Sequence, residues 1–256
     1  GDLLPVGRLA LSRLAGLIER VTAAYEVYEF ADVYKEIYAF CNEDLSGFYL
    51  DILKDRLYTS SAQSLQRRSA QTVLYYIASS LARMIAPILS FTSDEIFAFL
   101  PGAKTGDSIH ATDWPVAGEG WKDDAVEERY RLFMELRPYV LKALEDKRAS
   151  GLIGASLEAK ITLRTASPRD SQYLKGMLDE LPMLFIVSKV AVEDTKDIAS
   201  PIGGTFAQTE VIIEKAGGQK CPRCWNYKED IGTDKDYPEV CGRCARAIKG
   251  VNHRDG

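Results

Sequence analysis

The sequence predicts a mainly α protein: a helical bundle, then a small α+β domain, then a short cysteine-bearing module that closes the chain. Three observations carry this reading. Apolar residues recur at helical spacing through the first 150 positions, the period shifts to alternation after Gly154, and four of five cysteines crowd into the last 36 residues. The 256 residues are 46% hydrophobic and 27% charged, which excludes disorder and fibrous repeats and suffices for one large or two modest cores.

Leu14, Leu17, Val21, Tyr25 and Tyr28 share one helical face, and Phe30, Val33, Ile37, Cys41, Leu45 and Phe48 share the next, so two amphipathic helices are expected. A third starts near Ser64, with Leu74, Ile77, Leu81, Met84 and Ile88 on one side, and kinks or ends at Pro87. Thr92-Ser93-Asp94-Glu95 fits a capping box opening a short helix with Ile96, Phe97 and Leu100, stopped by Pro101-Gly102. Four helices with short connections make a bundle over residues 1–101. Residues 102–152 hold a turn-rich linker and one long helix marked by Val126, Tyr130, Phe133, Val140 and Leu144, ending at Gly151.

Residues 153–215 read as the α+β domain. Leu157, Ala159, Ile161 and Leu163 alternate with Glu158, Lys160, Thr162 and Arg164 as a half-buried strand. Ser167-Pro168 suits an N-cap followed by a first-turn proline, with Leu174, Met177 and Leu178 behind it. Met183 to Val192 and Val211 to Glu214 look like further strands, separated by Pro201-Ile202-Gly203-Gly204.

Residues 216–256 form the terminal module. Cys221-Pro222-Arg223-Cys224 and Cys241-Gly242-Arg243-Cys244 are two C-x2-C turns with sixteen residues between them. Each turn points two thiolates at one centre, and two turns together supply the tetrahedral sulfur cage that zinc prefers. Four thiolates leave no open coordination position, so one structural Zn2+ is expected, with iron the chemical alternative. A redox pair is disfavoured because such a centre sits near a βαβ pattern, which the sequence does not display. Cys41 reads as a small buried hydrophobe.

The net charge of −5 hides a gradient. From Lys215 onward nine Lys/Arg face six Asp/Glu, so this segment is +3 and the preceding 214 residues are −8. Lys220, Arg223, Lys228, Arg243, Arg246 and Lys249 surround the knuckles, with Trp225 and Tyr227 interleaved. Cations beside an exposed aromatic suit single-stranded nucleic acid, whose phosphates take the charges and whose bases take the ring. Alternatively Trp225 covers the metal cluster and the cations are solvated. Lys54, Arg56, Arg67, Arg68 and Arg83 offer a second contact surface or solvated helix faces, with Asp51 and Lys54 an i,i+3 pair.

Nothing else in the chain carries catalytic chemistry. The only histidines are His110, in a loop, and His253, near the terminus, and there is neither a Gly-rich phosphate loop nor a Ser/His/Asp set. No run approaches eighteen apolar residues, so no membrane span is expected. The opening Gly1-Asp2-Leu3-Leu4-Pro5 lacks the basic region of a signal peptide, so a cytoplasmic protein is expected.

Several stretches resemble, in order, the anticodon-binding region of class I isoleucyl-tRNA synthetases. They are Phe48-Tyr49-Leu50-Asp51-Ile52-Leu53-Lys54-Asp55-Arg56-Leu57-Tyr58, Met84-Ile85-Ala86-Pro87-Ile88-Leu89, Thr112-Asp113-Trp114-Pro115 and Ile153-Gly154-Ala155-Ser156-Leu157-Glu158-Ala159. The closing Cys221-Pro222-Arg223-Cys224-Trp225-Asn226-Tyr227 with Cys241-Gly242-Arg243-Cys244 continues the likeness, which spans nearly the whole chain. The helices alone are shared with valyl and leucyl relatives, whereas the four-cysteine module resembles the bacterial isoleucyl type. The resemblance implies a bundle of the class I anticodon-binding type and a carboxy-terminal part of an isoleucine-tRNA ligase. Its partners would be the anticodon stem-loop of isoleucine tRNA and the N-terminal catalytic domain of the parent enzyme, in a monomer. The RNA-binding set would be Lys220, Arg223, Trp225, Asn226, Lys228, Arg243, Arg246 and Lys249. The family's two ATP-binding signatures are missing: one needs two neighbouring histidines, and no KMSKS-like run exists. The chain alone is therefore expected to be inactive. Formamidopyrimidine-DNA glycosylases end in a similar zinc finger but use an amino-terminal proline and adjacent glutamate, whereas this chain begins Gly1-Asp2 and its first proline is Pro5. A protein-interaction module is the third reading.

Overall fold

The structure, a computed structural model, describes residues 3–102 and 106–250, so His253 and the first two residues lie outside it. The described residues fall into two compact units, one built from residues up to Leu57 plus Leu65–Glu128, the other from Tyr58–Ser64 plus the chain from Arg129 onward.

The first unit is the bundle. Helix α1 (Pro5–Glu26) opens with Pro5 in its first turn, where the missing N–H costs nothing, and buries Val6, Leu9, Leu14, Leu17 and Val21. It packs against α2 (Phe30–Ala39) and α4 (Leu65–Ile85), while α3 (Leu50–Thr59) lies between these in sequence. Tyr28 ends the first helical face in the left-handed region (φ 60°) and is exposed. The second expected helix is not one regular α-helix: from Phe40 to Tyr49 the chain widens into a π-helical segment. The wider turn shifts the phase, so Phe40, Leu45, Phe48 and Tyr49 point inward, and Cys41 is only half-buried.

Helix α4 ends before Pro87 as expected, but Ile88 is half exposed, and the inner face is built from Ser69, Ala70, Val73, Ile77, Ser80 and Met84. Small residues there let α1 approach closely. Tyr25 donates to the Met84 carbonyl (2.9 Å), and the Trp114 indole N–H donates to Thr22 Oγ1 (2.8 Å). The capping box at Thr92-Ser93-Asp94-Glu95 does not form. Helix α5 (Ser90–Ala98) starts three residues earlier without a side-chain cap, and Asp94 accepts from the Ile109 N–H (2.9 Å) and Ser108 Oγ (2.8 Å). The helix already runs through Thr92, so that residue cannot serve as its N-cap. Those bonds, the backbone one first, hold Asp94 below the usual carboxylate range. Lys54 pairs with Asp51 (2.7 Å).

In the second unit the C-terminal part of α6 (Asp124–Ala149) supplies Tyr130, Phe133, Leu136, Val140 and Leu144, all buried. The sheet has the order β2-β1-β3: β1 (Ala159–Thr165) lies parallel to β2 (Lys189–Asp194) and antiparallel to β3 (Thr209–Lys215). Ile161, central in β1, sits opposite both Val190 and Ile213. Helix α7 (Pro168–Gly176) starts as expected, with Ser167 Oγ accepting from the Asp170 N–H (3.2 Å). Met183 to Val192 is not a single strand. Pro182 starts a short helix α8 (Leu181–Phe185), Ile186 ends it in the left-handed region (φ 56°), and β2 begins only at Lys189. An apolar run of that length fits a buried helix turn as well as a strand. With α7 and α8 between two parallel strands, the unit does contain a βαβ crossover, contrary to the sequence reading.

Glu210 shows how this sheet handles a buried carboxylate. It accepts from the Ala199 N–H (2.9 Å) and Ser200 N–H (3.1 Å) and pairs with Arg164 (2.6 Å); the bond from Ser200 leads in lowering its pKa. Among the described residues no helix is long and apolar enough to cross a membrane.

Candidate metal centre

The terminal module starts with a two-stranded ribbon, β4 (Gln219–Lys220) and β5 (Tyr227–Lys228), whose turn is the first knuckle. Inside that turn the Cys221 N–H donates to the Asn226 carbonyl (2.9 Å), the Trp225 N–H to the Cys221 carbonyl (2.8 Å), and the Asn226 amide to the Cys224 carbonyl (3.1 Å). Trp225 takes a left-handed backbone (φ 63°) to close it. The second knuckle is the start of α9 (Gly242–Ile248), where Cys241 is the N-cap residue and the Gly242 N–H donates to Asp230 Oδ2 (3.0 Å). Ser188 fastens the module to the sheet by accepting from the Tyr227 N–H (2.7 Å) while donating to the Leu157 carbonyl.

These two turns bring together all four cysteines that the sequence spacing selects. Their sulfurs lie within 4.8 Å of one another, and all four side chains are buried. Sγ of Cys224 and Cys241 are 3.8 Å apart. A zinc tetrathiolate with Zn–S bonds of about 2.3 Å has S···S edges of about 3.8 Å, whereas a disulfide needs about 2.05 Å. All the cysteines are free. Four buried thiols converging on one centre fit a shared cation, whereas a redox pair needs only two. Without a cation, Cys224, Cys241 and Cys244 oppose one another's ionisation. Hydrogen bonds from Cys241 and then Cys244 push Cys224 far down, and the same contact with Cys224 pushes Cys241 and Cys244 up. The Cys241 N–H also points at Cys221 Sγ (3.4 Å), a donor suited to a thiolate.

Gly218, just before β4, is one position where only glycine fits. Its φ is +86°, and a Cβ there would stand 2.3 Å from the Lys228 carbonyl oxygen. Gly218→Ala is expected to cost the ribbon at least ~1 to 3 kcal/mol and to weaken metal retention. A melting curve together with zinc competition by a chelator measures both, and unchanged values would mean that the ribbon does not hold the knuckle.

The expected RNA-binding residues sort into different circumstances. Trp225 is 61% exposed, with Lys220 Nζ 5.5 Å from its ring centroid, so it does not cover the cysteine cluster. Arg223 donates to the Thr59 carbonyl (3.2 Å) and Arg243 to Thr59 Oγ1 (3.3 Å), so both guanidinium groups brace the Tyr58–Ser64 segment. Lys249 is tied to Asp234 (2.9 Å) and Asp236 (2.7 Å) and lies beside the Tyr237 ring. Asn226 is engaged inside the knuckle as described. Lys228 and Arg246 have no carboxylate partner among the described residues. The sequence reading missed Ser188, Asp230 and Gly218, none of which belongs to the C-x2-C pattern.

Comparison with known proteins places this geometry. Residues 7–163 match the family model of the anticodon-binding domain of tRNA ligases, and residues 218–247 match that of a zinc finger found in FPG and IleRS. The chain belongs to the family of anticodon-binding domains of tRNA ligases, and its four-cysteine cluster is the site of one structural zinc. It is 42% identical over 248 residues to an isoleucine--tRNA ligase of Syntrophotalea carbinolica, which covers 96% of this chain and 26% of that protein. It is 41% identical over 248 residues to that of Fervidobacterium nodosum and 42% over 253 residues to that of Moorella thermoacetica, with 97% of this chain and 27% of the relative covered in each case. The chain thus spans about a quarter of the length of the curated relatives it matches.

Proposed function

We propose that this chain recognises the anticodon stem-loop of isoleucine tRNA as part of an isoleucine-tRNA ligase. The observation that carries the reading is the joint occurrence, in one chain, of the anticodon-binding match over residues 7–163 and the zinc finger over residues 218–247. In this reading residues 1–101 are the anticodon-binding bundle, 102–152 the linker and connecting helix, 153–215 the α+β domain and 216–256 the zinc module. Cys221, Cys224, Cys241 and Cys244 hold the zinc, which supplies a crosslink and no reaction chemistry.

Trp225 offers the base-stacking face. Its exposure supports that role, as does the metal-held turn that carries it, because a side chain on a rigid turn loses little freedom on binding. Stacking on an aromatic is worth ~1 to 3 kcal/mol, about one to two decades in affinity. Trp225→Ala is expected to weaken stem-loop binding at least several-fold with zinc content intact; intact affinity in the zinc-loaded variant would remove the stacking role. Lys249→Ala should cost less, since its ammonium already serves Asp234 and Asp236. Titrating the chain with the stem-loop and with a damaged DNA duplex separates this function from that of a repair enzyme. Preference for the duplex would reverse the assignment.

The chain works in the cytoplasm, as one copy, beside a catalytic domain that supplies ATP chemistry. The exposed apolar side chains Ile88, Leu89, Phe91 and Phe99, with Phe91 95% accessible, support such a neighbour. By itself the chain is expected to give no isoleucine-dependent pyrophosphate exchange. Exchange that survives rigorous removal of host synthetase would overturn this.

A further inference from the structure

A cleft of about 720 Å³ lies between the end of the three-stranded sheet and the zinc module, and nothing above gives it a role. Cations from four separate elements line it: Lys189 from the start of β2, Lys215 from the end of β3, Lys228 from β5 and Arg246 from α9. None of these four has a carboxylate partner among the described residues, although ion pairs are common elsewhere in this acidic chain. The carboxylates of the lining are mostly committed. Glu214 pairs with Lys160 (2.9 Å), and Asp230 caps the second knuckle. The Gly242 N–H leaves the charge of Asp230 in place, so Asp230 and Glu229 face Lys189, Lys215, Lys228, Arg243 and Arg246, and the lining keeps a surplus of positive charge. The two net negative charges of a zinc tetrathiolate behind Cys241 reduce that surplus without reversing it.

Unpaired ammonium and guanidinium groups held on different elements have a cost, since like charges repel and gain nothing from the fold. A polyanion with regularly spaced charges removes it. A globular acidic partner would need an apolar anchor at the centre of its contact, and Tyr227 is the only large apolar side chain in the lining. We propose that this cleft is the track for the ribose-phosphate backbone of the bound RNA, with Lys189, Lys215, Lys228 and Arg246 each taking a phosphate. This rests on the anticodon reading and deepens it: the site extends from the exposed knuckle onto the α+β domain, through Lys189 and Lys215, which no pattern in the cysteine module includes. Counterion release at four phosphates gives log affinity a slope of about −3 against log salt for a single strand.

The test uses the full zinc-loaded chain, the isoleucine anticodon stem-loop and a salt series, comparing wild type with Lys189→Gln/Lys215→Gln. The double variant is expected to bind about tenfold more weakly at 0.15 M salt and to shallow the slope by about 1.4, with melting temperature and zinc content unchanged. Trp225→Ala should lower affinity while leaving the slope alone, because stacking releases no counterions. If wild type binds and the double variant matches it in affinity and slope, the track is wrong and the anticodon reading stands. If wild type binds no stem-loop at all, both fall. Binding of a poly-glutamate peptide in place of RNA, lost in the same variant, would reassign the cleft to an acidic protein.

Discussion

Stripping the metal is expected to remove about 10 kcal/mol or more from the terminal module and to unfold it while the helical bundle stays intact. The magnitude follows from what the module has besides metal. Its buried cluster is Cys221, Cys224, Cys241, Cys244, Val240 and Ala245, with Ile231 and Tyr237 packed around it. Four of those six buried side chains are the thiols themselves, and among the described residues the regular structure is two paired residues on each strand of the ribbon and a seven-residue helix. Neither element would persist alone in water. The bundle draws on its own buried set, Leu9, Leu14, Leu17, Val73 and Met84. Hydrogen exchange on the chelator-treated chain, and on Cys221→Ser/Cys241→Ser, should show lost protection from β4 through α9 and retained protection in α1 and α4. Retained protection through the module would mean that its side chains suffice without the ion.

The second large effect is expected in the core of the α+β unit. Phe133 is fully buried, with its ring 5.2 Å from Phe185 and edge-on to Tyr130 at 6.5 Å. It therefore joins the long helix to the short helix that precedes β2. Phe133→Ala should cost about 3 to 5 kcal/mol, combining lost transfer energy with a cavity that a helix on one side and a sheet on the other cannot collapse to fill. Chemical denaturation followed by far-ultraviolet circular dichroism measures it. A loss below about 1 kcal/mol would mean that the ring is not a keystone of this unit.

What the sequence disclosed depends on how local the determining physics is. The metal site was legible because two residues in each knuckle fix the ligand geometry within four positions and thiols are scarce elsewhere in the chain. The long helix was legible from Val126, Tyr130, Phe133, Val140 and Leu144, whose spacing survives an internal Pro138. The π-helical widening at Phe40–Tyr49 was not, because one extra residue per turn leaves the apolar count unchanged and alters only the phase. The capping box of Thr92 and Glu95 was misread because the helix already starts at Ser90, and Asp94 between them takes its donors, Ser108 and Ile109, from a loop fourteen and fifteen residues on. The same limit hid the cleft. Lys189, Lys215, Lys228 and Arg246 are unremarkable in sequence and converge only when β2, β3 and the module are assembled.

The central claim is that the chain reads an anticodon and does not merely attract RNA. The direct measurement is the affinity of the zinc-loaded chain, at one fixed salt concentration, for the isoleucine stem-loop and for a stem-loop of identical length and stem with a substituted anticodon. Phosphate contacts are the same in both, so any difference comes from the bases. The expected result is tighter binding of the isoleucine loop by at least tenfold, or about 1.4 kcal/mol. Equal affinity for the two loops would contradict it.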